Sequence, residues 1–208
     1  GGSSDACGIA STTIDVSTFD CSNVGANNVV LTVTDNNGNV STCTAVVTVE
    51  DNVAPTAVCQ NITVQLDANG NVSITPADVD GGSSDACGIA STTIDVSTFD
   101  CSNVGANNVV LTVTDNNGNV STCTAVVTVE DNVAPTAVCQ NITVQLDANG
   151  NASITPADVD GGSSDACGIA STTIDVSTFD CSNVGTNNVI LTVTDNNGNV
   201  STCTAVVT

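Results

Sequence analysis

The string GGSSDACGIASTTIDVSTFDCSNVG starts at Gly1, Gly81 and Gly161, so the chain repeats with a strict period of 80 residues. The copies differ in only three ways: Val72 becomes Ala152, Ala26 and Ala106 become Thr186, and Val30 and Val110 become Ile190. Solenoid repeats of about 20–50 residues are single layers that share a core with their neighbours. A period of 80 instead suits a self-contained small domain, and copies this alike leave no room for a unique active site in one of them. The phase of the repeat predicts joints at the linkers Glu50-Asp51-Asn52-Val53 and Glu130-Asp131-Asn132-Val133. It divides the chain into a partial unit (1–53), a complete unit (54–133) and a nearly complete one (134–208), the expected signature of a window on a longer array.

Within the unit 54–133 the apolar residues alternate. Ile62, Val64 and Leu66 read as a strand, Asp67-Ala68-Asn69-Gly70-Asn71 as a turn, and Val72 and Ile74 as extended chain that Pro76 ends. Residues 78–88 read as a polar loop, Ile89 to Val96 as β-prone, and Phe99 as a core plug. Val109, Leu111 and Val113 lead to the hairpin turn Asp115-Asn116-Asn117-Gly118-Asn119, and a last strand carries Cys123, Ala125, Val127 and Val129 on one face. Six or seven short strands in about 80 residues, with no helical period, predict an all-β chain of tandem immunoglobulin-like β-sandwich repeats. Only three aromatic residues are present, Phe19, Phe99 and Phe179, so each core buries little area and needs covalent or metal staples.

Cysteine supplies the covalent ones. A complete unit has four, Cys59, Cys87, Cys101 and Cys123, at spacings of 28, 14 and 22 residues. Zinc would want close ligand pairs and often His, and a catalytic thiolate would want a nearby cation; the sequence offers neither. Four cysteines allow three pairings. The favoured one joins Cys59 to Cys123 across the sandwich and closes a local loop between Cys87 and Cys101, worth on the order of 4 and 3 kcal/mol. Its equivalents are Cys139 with Cys203, Cys167 with Cys181 and Cys7 with Cys21, leaving Cys43 over from eleven. Two disulfides in each repeat imply an oxidising, hence extracellular, location, secreted or at a cell surface.

Two stretches carry a family resemblance. Pro-Thr-Ala-Val-Cys-Gln-Asn-Ile-Thr-Val (55–64) resembles the opening of the hyalin repeat (HYR) domain, and Val-Leu-Thr-Val-Thr-Asp-Asn-Asn-Gly-Asn-Val-Ser-Thr-Cys-Thr (110–124) resembles its close. The resemblance runs through each unit and implies an immunoglobulin-like fold, an extracellular location and a role in adhesion. The family's two outer cysteines match Cys59 and Cys123; Cys87 and Cys101 are additions to its pattern. Near-identical arrays of this kind are similar to those in large secreted proteins of Bacteroidetes-type bacteria.

The chain has 22 acidic residues and no Lys, Arg or His, a formal charge of −22 with no internal counter-charge. Nucleic acid is excluded as a partner because phosphate binding needs Lys or Arg, and an anionic membrane surface is disfavoured for the same reason. No stretch of about 20 apolar residues is present for membrane insertion. Tracing the strands through a sandwich brings Glu50, Asp51, Asp78, Asp80, Asp85 and Asp115 to the pole where the linker arrives, together with Asn117 and Asn119. The set recurs as Glu130, Asp131, Asp158, Asp160, Asp165 and Asp195, and partly as Asp5 and Asp35. Carboxylates so gathered repel unless a cation binds, and oxygen-only donors suit Ca2+ as a structural ion. The plainer alternative is that Asp and Asn stand there as turn formers. Asp67 to Asn71 starts like a calcium loop but lacks the distal Glu, and reads as a turn.

These features predict a structural repeat array, the stalk or shaft of an extracellular adhesin or fibre, rigidified by calcium at its joints. Its partners are then the neighbouring repeats, further copies in a fibre, or a surface ligand. The alternative is a calcium-dependent glycan- or protein-binding module, although sugar sites commonly use aromatic platforms and the chain has no Trp or Tyr. An enzyme is the weakest reading, because without His, Lys, Arg or Tyr only Asp, Glu, Ser, Thr and Cys remain to act.

Overall fold

Alternating β-branched and polar residues form strands throughout the computed structural model, which describes residues 2–208. The first repeat contributes β1 (Ile9–Ile14), β2 (Gly25–Asp35) and β3 (Val40–Val49). The second contributes β4 (Ile62–Gln65), β5 (Asn71–Ser73), the one-turn helix α1 (Pro76–Val79), β6 (Ile89–Ile94), β7 (Thr98–Asp100), β8 (Gly105–Asp115) and β9 (Val120–Glu130). The third adds β10 (Asn151–Ser153), α2 (Pro156–Val159), β11 (Ile169–Ile174), β12 (Thr178–Asp180), β13 (Asn187–Asp195) and β14 (Val200–Val207). The sheet orders are β1-β2-β3, β4-β9-β8-β6, β5-β7, β10-β12 and β11-β13-β14. The chain groups into two compact units, one of residues 2–58, 81–93 and 112–123, the other of 59–80, 94–111 and 124–208.

The third repeat, inside the second unit, shows how a core is made from so few large residues. On β13, Val189, Leu191 and Val193 are buried at every second position, as the period of a strand requires. They meet Ala205 and Val207 of β14 and are covered by Ile154, Val159 and Phe179 from the other layer. Antiparallel pairing sets the register, Val189 opposite Ala205 and Leu191 opposite Cys203. The class is the expected one, an all-β chain of immunoglobulin-like sandwich repeats.

In the first unit, Leu31 and Val33 of β2 are only half-buried, whereas their counterparts Leu191 and Val193 are fully buried.

Local chemistry accounts for one departure from the expected elements. Pro76 ends extended chain as predicted, yet it also opens a turn of helix that runs into the start of what read as a polar loop. Thr75 is the N-cap, Pro76 holds the first helical position, and Asp78 bonds back to Thr75, which makes a capping box. The helix exists to bury Val79, which is fully covered.

Leu191→Ala should lower unfolding free energy by about 2–5 kcal/mol. Val200→Ala, at an exposed position, should change it by less than about 0.5 kcal/mol. Denaturant titration of the oxidised protein measures both.

Candidate functional site: the joint between repeats

The inner cysteines do not close loops within repeats. Cys101 is bonded to Cys167, 66 residues away and in the next copy, with Cα atoms 5.1 Å apart. Cys21 is bonded to Cys87 with the same separation of 66 and the same 5.1 Å. The expected pairs Cys87 with Cys101, Cys167 with Cys181 and Cys7 with Cys21 are thereby corrected.

The geometry of one repeat explains the correction. Asn196 donates its side-chain amide to the carbonyl of Cys167 at 2.7 Å, at the hairpin end of the third repeat. Asn187 donates to the carbonyl of Asn183, in the turn that begins at Cys181, at 2.8 Å. Extended chain from Asn187 to Asn196 covers about 30 Å, while a disulfide needs Cα atoms within about 7 Å. Each repeat thus carries its two inner cysteines at opposite ends, where each faces a different neighbour.

Both halves of this staple are preformed. Cys101 opens a short 3-10 turn (Cys101–Asn103) capped by Asp100, which accepts from the amide and hydroxyl of Ser102 at 2.8 and 2.6 Å. Cys167 sits in a turn where its amide donates to Asp165 Oδ1 at 2.8 Å. The Cys101 sulfur also leaves room for nothing but glycine at Gly70. A Cβ there would lie 2.6 Å from Cys101 Sγ and 3.3 Å from Ala166 Cβ, and the residue has a φ of +75°.

Cys139 and Cys203 are joined across their repeat with Cα atoms 5.7 Å apart, and Cys59 and Cys123 are disulfide-bonded. Among the described residues Cys7, Cys43 and Cys181 are free, all exposed. Cys43 was the expected orphan. Cys7 and Cys181 are the equivalents of Cys87 and Cys101, which pair with neighbouring repeats and not with each other.

The acids at the joint separate into two groups. Asp131, in the linker, is 6 % exposed. Its Oδ1 accepts from the Val133 amide at 3.0 Å, while Oδ2 is buried and has no hydrogen-bond partner among the described residues. Its backbone carbonyl accepts from the Asn199 side chain at 3.0 Å, tying the linker to the hairpin of the following repeat. A carboxylate oxygen of Asp131, one of Asp165 and Cys167 Sγ lie within 4.8 Å of one another. The first unit repeats this with Asp51, Asp85 and Cys87. There too Asp51 Oδ2 is buried and unpartnered, and the Asp51 carbonyl accepts from Asn119 at 3.0 Å. Because Cys87 and Cys167 are spent in disulfides, neither is a thiolate, and what remains to offer a cation is hard oxygen.

The other expected acids have local employment. Asp78 and Asp158 cap their one-turn helices, each accepting from the Thr75 or Thr155 amide at 2.6 Å and hydroxyl at 2.8 Å. Those bonds hold both carboxyls below the usual range. Asp160 accepts from the Ser163 amide and hydroxyl, both at 2.8 Å, and Asp80 pairs through its backbone with Cys59. Glu130 accepts from Gln65 at 2.7 Å and Glu50 from Asn52 at 3.4 Å. Asp5 caps the Cys7 turn at 2.8 Å.

Asp115 and Asp195 are the inward ends of β8 and β13, each 1 % exposed. Asp195 Oδ1 accepts from the Asn197 and Asn199 amides at 2.9 and 2.8 Å, and Oδ2 from the Asn199 side chain at 2.8 Å. Asp115 does the same with Asn117 and Asn119, and Asp35 with Asn37 and Asn39. Burial pushes Asp195 up, but the Asn199 side chain and the amides of Asn199, Asn197 and Gly198 outweigh it and hold the carboxyl below the usual range. The Asn117 and Asn119 backbone amides and the Asn119 side-chain amide thus serve the turn as donors to Asp115.

No protein-family model and no curated protein sequence matches the chain. Three solved structures give the level of structural likeness. Extracellular cadherin domains 1-4 of protocadherin gamma B7 match at TM-score 0.38 and 10% identity, over 90% of this chain and 58% of that one. Human CDH23 EC21-23 matches at TM-score 0.43 and 16% identity, over 87% and 73%. A three-immunoglobulin-domain variant of titin matches at TM-score 0.40 and 9% identity, over 88% and 74%. The chain thus spans little more than half of the protocadherin fragment, and likeness at this level assigns it to no family.

A carboxyl with a depressed folded pKa contributes stability that is present above its unfolded value and is lost as pH falls through the folded one. Asp195→Asn places an amide nitrogen against the Asn199 donor, so it should be less stable than the parent at neutral pH. The gap should narrow as pH drops below about 4. Urea midpoints of both proteins between about pH 7 and about pH 2 measure it, and a gap constant over that range would contradict the bonding described.

Proposed function

We propose that the chain is a structural array, the stalk or shaft of an extracellular adhesin or fibre, cross-bonded at every joint and further rigidified there by calcium. The bond between Cys101 and Cys167 carries this reading. A bridge inside a repeat keeps a domain folded; a bridge between repeats limits how neighbours move, which matters to a load-bearing array. Closing a 66-residue loop is worth about 4 kcal/mol in chain entropy, and bonds of this kind persist in oxidising surroundings. The units 1–53, 54–133 and 134–208 are the repeating elements in this reading, and their resemblance to hyalin repeats of bacterial surface proteins agrees with it.

The buried, unpartnered Oδ2 of Asp131 supports the calcium half. A buried carboxylate oxygen without a donor is costly, and a cation held by Asp131 with Asp165 would relieve both that cost and the repulsion between them. Bound calcium would supply charge neutralisation and a second tie between linker and repeat. Asp51 with Asp85 is the equivalent pair at the other joint.

Asp131→Asn combined with Asp165→Asn should weaken calcium binding at that joint by at least about tenfold, read by calorimetry on the oxidised chain. Chelator should also broaden the distance distribution from small-angle scattering. A titration without heat and a profile unmoved by chelator would remove calcium from the account.

A further inference from the structure

We propose that Asp131 and Asp165 guard the joint disulfide, making the bond from Cys101 to Cys167 selectively resistant to anionic thiol reductants. One carboxylate oxygen of each and Cys167 Sγ all lie within 4.8 Å of one another. Asp131 is 6 % exposed, and its buried Oδ2 has no hydrogen-bond partner among the described residues, so no donor offsets the charge on that oxygen. Asp165 accepts from the Cys167 amide through Oδ1 at 2.8 Å, which holds its carboxylate to the turn that presents the sulfur. The same arrangement recurs at Cys87 with Asp51 and Asp85. Cys139 and Cys203, bonded within their repeat, belong to no such group among the described residues.

Reduction by a thiol begins when a thiolate attacks one sulfur of the bond and the other sulfur leaves as a thiolate. Attack at Cys167 brings the incoming charge up to the two carboxylates. Attack at Cys101 instead expels Cys167, whose new charge forms beside the same two carboxylates. Both routes place negative charge where negative charge already stands, so neither side of the bond is open. A second thiolate then displaces the first from the mixed disulfide. Two small thiolates become one small disulfide and both cysteines are left reduced, so the electrons balance. A full charge at about 5 Å from a carboxylate slows the step about fourfold even at the dielectric constant of water. The attacking, central and leaving sulfurs share that charge, so each carboxylate accounts for about two- to fourfold. A further anionic group on the thiol adds to the repulsion, and a cationic one offsets it.

The inference rests on the disulfide and its two carboxylates and not on calcium, so the test is run in chelator. The oxidised full chain and its Asp165→Asn variant are reduced under native conditions with mercaptoethanesulfonate, which is anionic, or with cysteamine, which carries an ammonium group. Alkylation of the freed thiols and peptide mass spectrometry give the rate at each bond. The substitution keeps a side-chain oxygen to accept from the Cys167 amide and removes only the charge. In the parent, the ratio of the anionic rate to the cationic rate should be at least about threefold lower at the bond from Cys101 to Cys167 than at that from Cys139 to Cys203. Asp165→Asn should raise the joint's ratio about two- to fourfold and leave the other bond's ratio unchanged. Added salt should narrow the parent's difference between bonds. Equal acceleration at the joint by both thiols would mean that Asp165 acts only by holding the turn, and an unchanged ratio would mean that its charge does not reach the bond. Either result overturns the proposal and leaves the calcium reading intact.

Discussion

The disulfide between one repeat and the next is the constraint on which the joint depends. Without it, the linker would be tied to the following repeat chiefly by the Asn199 side chain on the Asp131 carbonyl. With it, Cys101 and Cys167 fix two preformed turns against each other, and the Cys101 sulfur stands where a side chain at Gly70 would lie. The placement of the acids follows. Asp165 caps the turn that presents Cys167, and Asp131 reaches that same turn from the linker, so the bridge brings the carboxylates together as a by-product.

A chain with 22 acids and no basic side chain must satisfy its carboxylates without ion pairs. It does so with neutral donors. Asp195 takes two backbone amides and the Asn199 side chain, and Asp67 takes the amides of Asn69 and Asn71 at 2.9 and 3.0 Å. Asp100 takes the amide and hydroxyl of Ser102. The abundance of Asn, Ser and Thr beside Asp is thus the replacement for Lys and Arg. Against that pattern the bare Oδ2 atoms of Asp51 and Asp131 stand out, because each lies in a linker and not inside a turn.

Much of the fold was legible in the residues because period-2 burial depends on side chains a few positions apart. The alternation of Val109, Leu111 and Val113 located β8, Phe99 lies buried as the pattern required, and the Asp115 to Asn119 hairpin forms as read. The one-turn helix was legible too, in Thr75, Pro76 and Asp78, but a strand-ending proline masks a helix-starting one. Of the acids, the pole argument correctly joined Asp131 to Asp165. Asp158 and Asp160 each also engage one carboxylate oxygen in their own turns, Asp158 Oδ2 with Thr155 and Asp160 Oδ1 with Ser163. Cysteine pairing was illegible for a different reason. The 14-residue spacing from Cys87 to Cys101 suggests a local loop, whereas the strand between such positions carries them to opposite ends, and the true partner lies one period away.

The presence of a covalent bond across the joint can be tested with a single added residue. Because the chain has no Lys or Arg, Asn132→Arg creates one trypsin site, at an exposed linker position, and only the bond from Cys101 to Cys167 bridges the cut. After trypsin, denaturing electrophoresis without reductant should show one full-size band that splits into two fragments when reductant is added. Two separate fragments in the unreduced lane, from fully oxidised protein, would contradict the account.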